Sequence, residues 1–239
     1  MNLALFDFDG TLTERELFGE FLALAVPSGR LALGRSLLAP LVLGYRAGLL
    51  SGSLVRACAV SIGFSGADQA RIEAVGRRFS ERVVPDALRP MAMARMRWHL
   101  DQGDTVVVVS GAFNVYLSHW CRAQGVHLIC SSLEAHDGIL TGRYLGAQCV
   151  GAEKARRVLE RYRLDDYAAV YAYGDTPEDH ALLALASHRW YRWVALDDQA
   201  SARGPDGPCN ATAPAVNDSA PPLSRRARAS TFPTRKEAG

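Results

Sequence analysis

Lysine is nearly absent from this 239-residue chain: 25 of its 27 basic residues are arginine, and the two lysines are Lys154 and Lys236. Arginine therefore carries the ordinary work of surface solvation, and a lysine inside the folded body needs a reason specific to its place. Cys-x-x-Cys pairs are missing too. The five cysteines (Cys58, Cys121, Cys130, Cys149, Cys209) are scattered and odd in number. That excludes a zinc knuckle and a disulfide framework, leaving reduced and mostly structural thiols. No basic leader with a short apolar core and a cleavage site opens the chain; a strand begins at once, and the expectation is a cytoplasmic protein. No single sign of charge dominates either. The net charge is +2, yet the part from Gln199 onward holds six basic and three acidic residues, leaving 21 basic and 22 acidic for the body. A neutral body gives little support for nucleic-acid binding.

What is present is an apolar, globular composition, 49% hydrophobic and 22% charged, in a length that suits one domain with an insertion or a tail. Leu3 to Phe6 reads as a buried strand that runs directly into Asp7-Phe8-Asp9-Gly10-Thr11. Alternate residues of a strand share a face, so Asp7 and Asp9 point together if the backbone stays extended. Two close carboxylates repel unless a cation or a shared proton neutralises them, and their hard oxygens suit Mg²⁺. Taken alone, the pair also reads as a strand followed by an Asx-type turn.

A helix is expected over Glu14–Ala25, broken by Pro27-Ser28-Gly29. Leu31 to Leu50 is strongly apolar, but Arg35 and Pro40 inside it argue against a membrane span. Two readings stand: buried helices of a small cap, or a surface that meets lipid. Helices over Ser53–Gly63, Gly66–Val84 and Met91–Gln102 complete about 90 mostly helical residues, far longer than a normal crossover and therefore an inserted subdomain. Asp104–Gly111 is the clearest buried parallel strand. A helix from Phe113, a strand over Val126–Cys130, a hairpin over Leu133–Tyr144 turning at Asp137-Gly138, and a helix from Gly151 to about Arg163 follow. Ala168–Tyr173 is the next strand, and Trp190–Ala195 the last. From Gln199 the chain takes six of its eleven prolines and one aromatic, Phe232, and is expected to be a disordered tail with a basic run at Arg225-Arg226-Ala227-Arg228.

Alternation of strands and helices predicts an α/β fold, a doubly wound Rossmann-like parallel sheet whose ligands bind beyond the C-terminal strand ends. Three strands end in chemistry-bearing residues: Asp7 and Asp9; Ser110 and Gly111; and Asp175 with Asp179 after Gly174. The Ser110 hydroxyl and the N–H groups after it suit phosphate oxygens. Lys154, alone in the body, offers a compact ammonium for the crowded space beside a phosphoryl group and a carboxylate.

In this order, Asp7-Phe8-Asp9-Gly10-Thr11, Ser110, Lys154 and Gly174-Asp175-x-x-x-Asp179 resemble the four motifs of the haloacid dehalogenase superfamily. The resemblance covers about residues 3–196, and the helical insertion after the first motif is similar to the type 1 cap of the phosphoserine phosphatase-like subfamily IB. It implies a core of residues 1–13 and 86–198 with a cap at 14–85. It further implies Asp7 as nucleophile, Asp9 as acid and then base, Thr11, Ser110 and Gly111 as phosphate-binding residues, and Lys154 as the neutralising cation. Asp7, the backbone carbonyl of Asp9, and Asp175 would hold Mg²⁺ with Asp179 in support. The second aspartate disfavours carbon–halogen chemistry.

The expected activity is a Mg²⁺-dependent phosphomonoester hydrolase working through an aspartyl-phosphate. Glu16 falls where phosphoserine phosphatases have a glutamate that contacts the substrate amino group. Two features depart from that pattern: Glu178 stands where those enzymes commonly have Asn, and the cap is unusually apolar, with Arg46 and Arg56 both candidates for reading the substrate. Phosphoserine-like molecules and phospholipid head-group phosphates such as phosphatidylglycerophosphate therefore stand nearly level, with histidinol phosphate behind. A phosphoryl-accepting receiver domain is disfavoured by the 90-residue insertion. A phosphomutase or a non-catalytic phosphate-binding protein ranks lower.

Overall fold

The structure is a computed structural model, and it describes residues 1–196. The expected tail lies outside the described residues. In chain order come β1 (Leu3–Phe6), α1 (Phe18–Ala25), α2 (Ser28–Arg46), α3 (Gly52–Phe64), α4 (Gln69–Arg82), the single turn α5 (Val84–Ala87) and α6 (Pro90–Asp101). These are followed by β2 (Thr105–Phe113), α7 (Asn114–Gln124), β3 (His127–Ser131), β4 (Leu133–His136), β5 (Ile139–Tyr144) and α8 (Ala152–Arg161). The described part closes with β6 (Val170–Gly174), α9 (His180–Leu183), β7 (His188–Tyr191) and β8 (Val194–Leu196).

Six strands form one sheet in the order β3-β2-β1-β6-β7-β8, parallel except for the β7–β8 hairpin. The chain thus has the α/β fold read from its sequence. All four residues of β1 are fully buried, because the strand is central and both sheet faces are covered. Ala4 and Phe6 point into the core shared with the inserted helices, and Leu3 and Leu5 into the core under α8 and α9. Above β1, Phe21 of α1 lies 5.3 Å from Phe79 of α4 and 5.1 Å from Tyr116 of α7, ring centre to ring centre, so the helical layer and the sheet share one apolar core.

Three sequence expectations are corrected. Helix α1 starts at Phe18 rather than Glu14, because Thr13 bridges to Leu88 and the Glu14 N–H donates to Ala87 O, holding the chain extended. The last strand is a hairpin, β7 and β8, turning through Arg192 and Trp193 at φ of 52° and 64°; no Gly or Asn marks that turn. The apolar 31–50 segment is helical as far as Arg46, within α2, whose one buried residue is Gly34, so it is not a buried helix. Among the described residues no helix is long and apolar enough to cross a membrane.

Behind the sheet runs a buried polar chain. Arg95 Nε donates to Tyr173 Oη (2.8 Å), Tyr173 Oη donates to His99 Nε2 (2.9 Å), and His99 Nδ1 donates to Asp104 Oδ2 (2.8 Å). These partners assign a neutral His99, and burial holds its pKa below the ordinary value with the Arg95 charge adding and the Asp104 bond opposing. Asp104 is also held below its ordinary value: burial alone would raise it, but the bonds from His99 and Asn2 outweigh that. Protons therefore bind the unfolded chain first, from about pH 6.5 downward, and both groups lose their stabilising contribution as pH falls. Melting temperature should hold between pH 8 and 7 and drop from about 6.5 to 5. A His99→Asn variant, less stable at pH 8, should lose most of that slope; an unchanged slope would place the pH dependence elsewhere.

Candidate active site

The site forms where β1, β2 and β6 end. The Asp7 N–H, one residue past β1, donates to Tyr173 O (3.0 Å), keeping the strand pairing intact up to the carboxylate. The chain then turns over Phe8–Leu12, with Gly10 at φ +82°, where a Cβ would lie 2.3 Å from Asp175 Oδ2. Only glycine fits that approach. Gly174 is likewise required: a Cβ there would lie 2.5 Å from that of Asp179.

Lys154, in the first turn of α8, is buried, and its Nζ donates to Asp7 Oδ1 (2.5 Å) and Asp179 Oδ1 (2.6 Å). The other oxygen of Asp179 accepts from the N–H groups of Asp175 and Thr176 and from the Thr176 hydroxyl at 3.0–3.1 Å. Asp179 is thus fully occupied; it fixes Lys154 and the loop after β6. The Thr-Pro-Glu-Asp run is a capping box, a signal the sequence carries openly.

Asp7, Asp175 and Asp179 bring carboxylate oxygens within 4.8 Å of one another. One ammonium serves two of them, and Asp175 has no basic partner at ion-pair distance among the described residues. Two buried carboxylates and one half-buried one, outnumbering their cations by two, fit a divalent ion with hard oxygen ligands. Burial drives Asp7 well above the usual carboxylate range despite Lys154. Asp175 is raised as well, mainly by burial, with the Thr11 bond opposing. Asp179 is lowered: burial is opposed and outweighed by Lys154 and the backbone donors. Lys154 is raised although burial lowers it, because two carboxylates hold its proton.

The Asp9 carboxylate is not part of that trio. Its Oδ1 accepts the N–H of Leu17 (2.9 Å), which fixes the entry into α1, and it faces the cavity. Burial raises its carboxyl to about 7, against the Leu17 bond, so it can give or take a proton near neutral pH. The Thr11 hydroxyl donates to Asp175 Oδ1 (2.9 Å), and Thr11 is not on the cavity lining.

The cavity, about 70 Å³, is lined by Asp7, Asp9, Lys154, Ser110 and Gly111, by Glu16 from the segment before α1, and by Phe18 and Arg56 from α1 and α3. The buried Ser110 hydroxyl accepts from the Ala112 N–H (3.1 Å), so its own proton is available to a ligand. Of the two candidate arginines, Arg56 reaches this cavity and Arg46 does not. Arg56 Nη2 donates to Glu178 Oε1 (2.7 Å) and Nε to Gln148 Oε1 (3.2 Å), so the unusual Glu178 pairs with the helical layer. Gln148 gave no signal in the sequence. Neither did the β7–β8 turn, whose Arg192 Nε donates to Asp175 O (3.0 Å) and Trp193 Nε1 to Thr11 O (3.2 Å), bracing both loops of the site.

Residues 4–184 match the model of the haloacid dehalogenase-like hydrolase family. Protein CicA of Caulobacter vibrioides is 33% identical over 192 residues, covering 80% of this chain and 85% of that protein. A solved structure of a protein with unknown function from Bordetella pertussis Tohama I has a TM-score of 0.68 at 28% identity, covering 79% of this chain and 88% of that one. A solved phospho-aspartyl intermediate analogue of phosphoserine phosphatase has a TM-score of 0.57 at 20% identity, covering 79% and 84%; at that identity it shows the same fold.

Proposed function

The chain belongs to the haloacid dehalogenase-like hydrolase family, and from that membership we propose that it is a Mg²⁺-dependent phosphomonoesterase acting through an aspartyl-phosphate on Asp7. The observation that carries the proposal is the buried Asp7 carboxylate, bonded on one oxygen to Lys154 and facing Ser110 and Gly111 across the cavity. Its free oxygen attacks phosphorus, and the bond to the leaving alkoxide breaks as Asp9 gives that oxygen a proton. Asp9 then takes a proton from water, which displaces Asp7 from phosphorus and releases inorganic phosphate. Ser110 donates to a phosphoryl oxygen, the Gly111 N–H supports it, and Lys154 offsets the charge gathering on the phosphoryl group. Thr11 positions Asp175. Asp7, Asp175 and the carbonyl of Asp9 would hold Mg²⁺, with Asp179 behind them. When bound, the ion supplies the charge compensation that lets an anionic nucleophile approach an anionic phosphate. On this reading residues 14–85 form a cap over a core of residues 1–13 and 86–198.

A small organic phosphate such as phosphoserine is the first substrate class, with Glu16 on the cavity lining for an amino group and Arg56 for a carboxylate. Phosphoserine phosphatase is also the named activity of the solved structure that shares the fold. A second reading, a phospholipid head-group phosphate, is favoured by an apolar groove on the same two helices that carry Phe18 and Arg56. The test is phosphate release from phosphoserine, histidinol phosphate, phosphatidylglycerophosphate and sugar phosphates, with Mg²⁺ and with chelator. Release from phosphoserine that chelation abolishes is expected. Release from none of them would contradict the proposal.

A further inference from the structure

A second opening among the described residues is larger than the catalytic cavity. A groove of about 550 Å³ runs between α2 and the pair α1 and α3, walled by Leu22, Leu38, Val42 and Ile62, with Arg35 and Arg46 also on its lining. The outward side of α2 carries Leu33 and Leu37, each 56% exposed, and Leu43 on the groove lining is 66% exposed. A helix with leucines on several sides is normally buried, and a contiguous exposed apolar face marks an interaction surface.

Charge says what kind of surface covers it. From Phe21 to Ala67 there is no Asp or Glu, while Arg30, Arg35, Arg46 and Arg56 all fall in that stretch. Arg56 lies on the catalytic cavity beside Glu178, and Arg30 donates to the carbonyls of Gly63 and Ser65. Arg35 and Arg46 have no ion-pair partner among the described residues. A second copy of this chain meeting the face isologously would set arginine against arginine with no carboxylate to relieve it. An anionic lipid surface supplies both acyl chains for the leucines and negative charge for the arginines.

We propose that the outward face of α2 and the adjoining groove dock this protein on an anionic lipid bilayer, with an acyl chain entering the groove. The docking is in the plane of the interface, since no helix of the described residues is long and apolar enough to cross. Helix α1 gives Phe18 to the catalytic cavity and Leu22 to the groove; α3 gives Arg56 to the one and Ala59 and Ile62 to the other. The two openings are therefore about one helical turn apart, roughly 5 Å along either helix. Docking on α2 thus presents the catalytic cavity beside the membrane.

The experiment is co-sedimentation of the full chain with vesicles of phosphatidylcholine alone and of phosphatidylcholine with phosphatidylglycerol, at low and high salt. Binding to the anionic vesicles that weakens with salt is expected, with much less to the neutral ones. Leu33→Asp/Leu37→Asp and, separately, Arg35→Glu should each weaken that binding by about tenfold or more, because each opposes insertion or attraction. Hydrolysis of soluble p-nitrophenyl phosphate and the melting temperature should match wild type in both, which also checks that both fold. Three results would overturn the proposal. They are no binding of wild type to anionic vesicles; binding retained in full by both variants, which would assign it to another part such as the basic run at 225–228; or a wild-type dimer that both variants dissociate with no vesicle binding.

Discussion

Replacing Asp7 by Asn should lower the turnover of any phosphomonoester substrate by about four to six orders of magnitude, while the protein folds as before. The two halves of that statement come from different properties of one carboxylate. Its chemistry is that of the proposed nucleophile: an amide in the same place is too poor a nucleophile to form the covalent intermediate. Its electrostatics point the other way. Asp7 is buried, its carboxyl is driven well above the usual range, and it shares a single ammonium with Asp179. Removing that charge leaves Lys154 paired with Asp179 at 2.6 Å and relieves repulsion among the carboxylates. The metal-free Asp7→Asn protein should therefore melt at or above the wild-type temperature. Thermal denaturation in chelator, beside steady-state kinetics with Mg²⁺, measures both. A variant that retains wild-type turnover would remove Asp7 from the reaction.

Lys154 should behave in the opposite sense, with activity and stability lost together. Lys154→Met leaves Asp7 and Asp179 buried with no cation between them, and breaking a buried pair by removing one partner costs about 3–5 kcal/mol. For a folded part of this size that lowers the melting temperature on the order of 10 °C. Lys154→Arg is the sharper test. It keeps the charge but asks a planar guanidinium to fill a site where one nitrogen sits 2.5 Å and 2.6 Å from two fixed carboxylates. Turnover should fall about 100- to 1,000-fold, since the donor no longer lies where charge develops on the phosphoryl group. Wild-type kinetics in Lys154→Arg would mean that any cation suffices there, and that the scarcity of lysine has no bearing on the site.

That scarcity was among the most legible signals in the chain. Asp7, Ser110 and Asp175 are each ambiguous alone and Lys154 is not; a leucine-rich run leads into Asp7 and a valine-rich run into Ser110, and a buried run fixes a parallel strand and its C-terminal end. The order β2-β1-β6 places those ends side by side, so joint placement could be read before any distance was known. Contacts between distant loops could not be read. Nothing local in Arg192 and Trp193 announces a hairpin, because their left-handed backbone is held by bonds to Gly174 O, Asp175 O and Thr11 O, 17 or more positions away. The bond from the Thr11 hydroxyl to Asp175, 164 positions on, is another such contact that the local sequence does not announce. The apolar run at 31–50 was legible as a helix but not as an exposed one, since hydrophobicity says that a face wants a partner and not whether the same chain supplies it.

If Asp7 carries the phosphoryl group during turnover, the group can be observed on the protein itself. The measurement is a rapid acid quench of enzyme with Mg²⁺ and the best phosphomonoester from the release screen, followed by mass analysis of the peptide holding residues 3–13. Wild type should show one added phosphoryl group on Asp7 that appears within a single turnover, decays on dilution into substrate-free buffer, and is absent from Asp7→Asn. Turnover with no phosphorylated peptide at any quench time, or a phosphoryl group on another residue, would contradict the account.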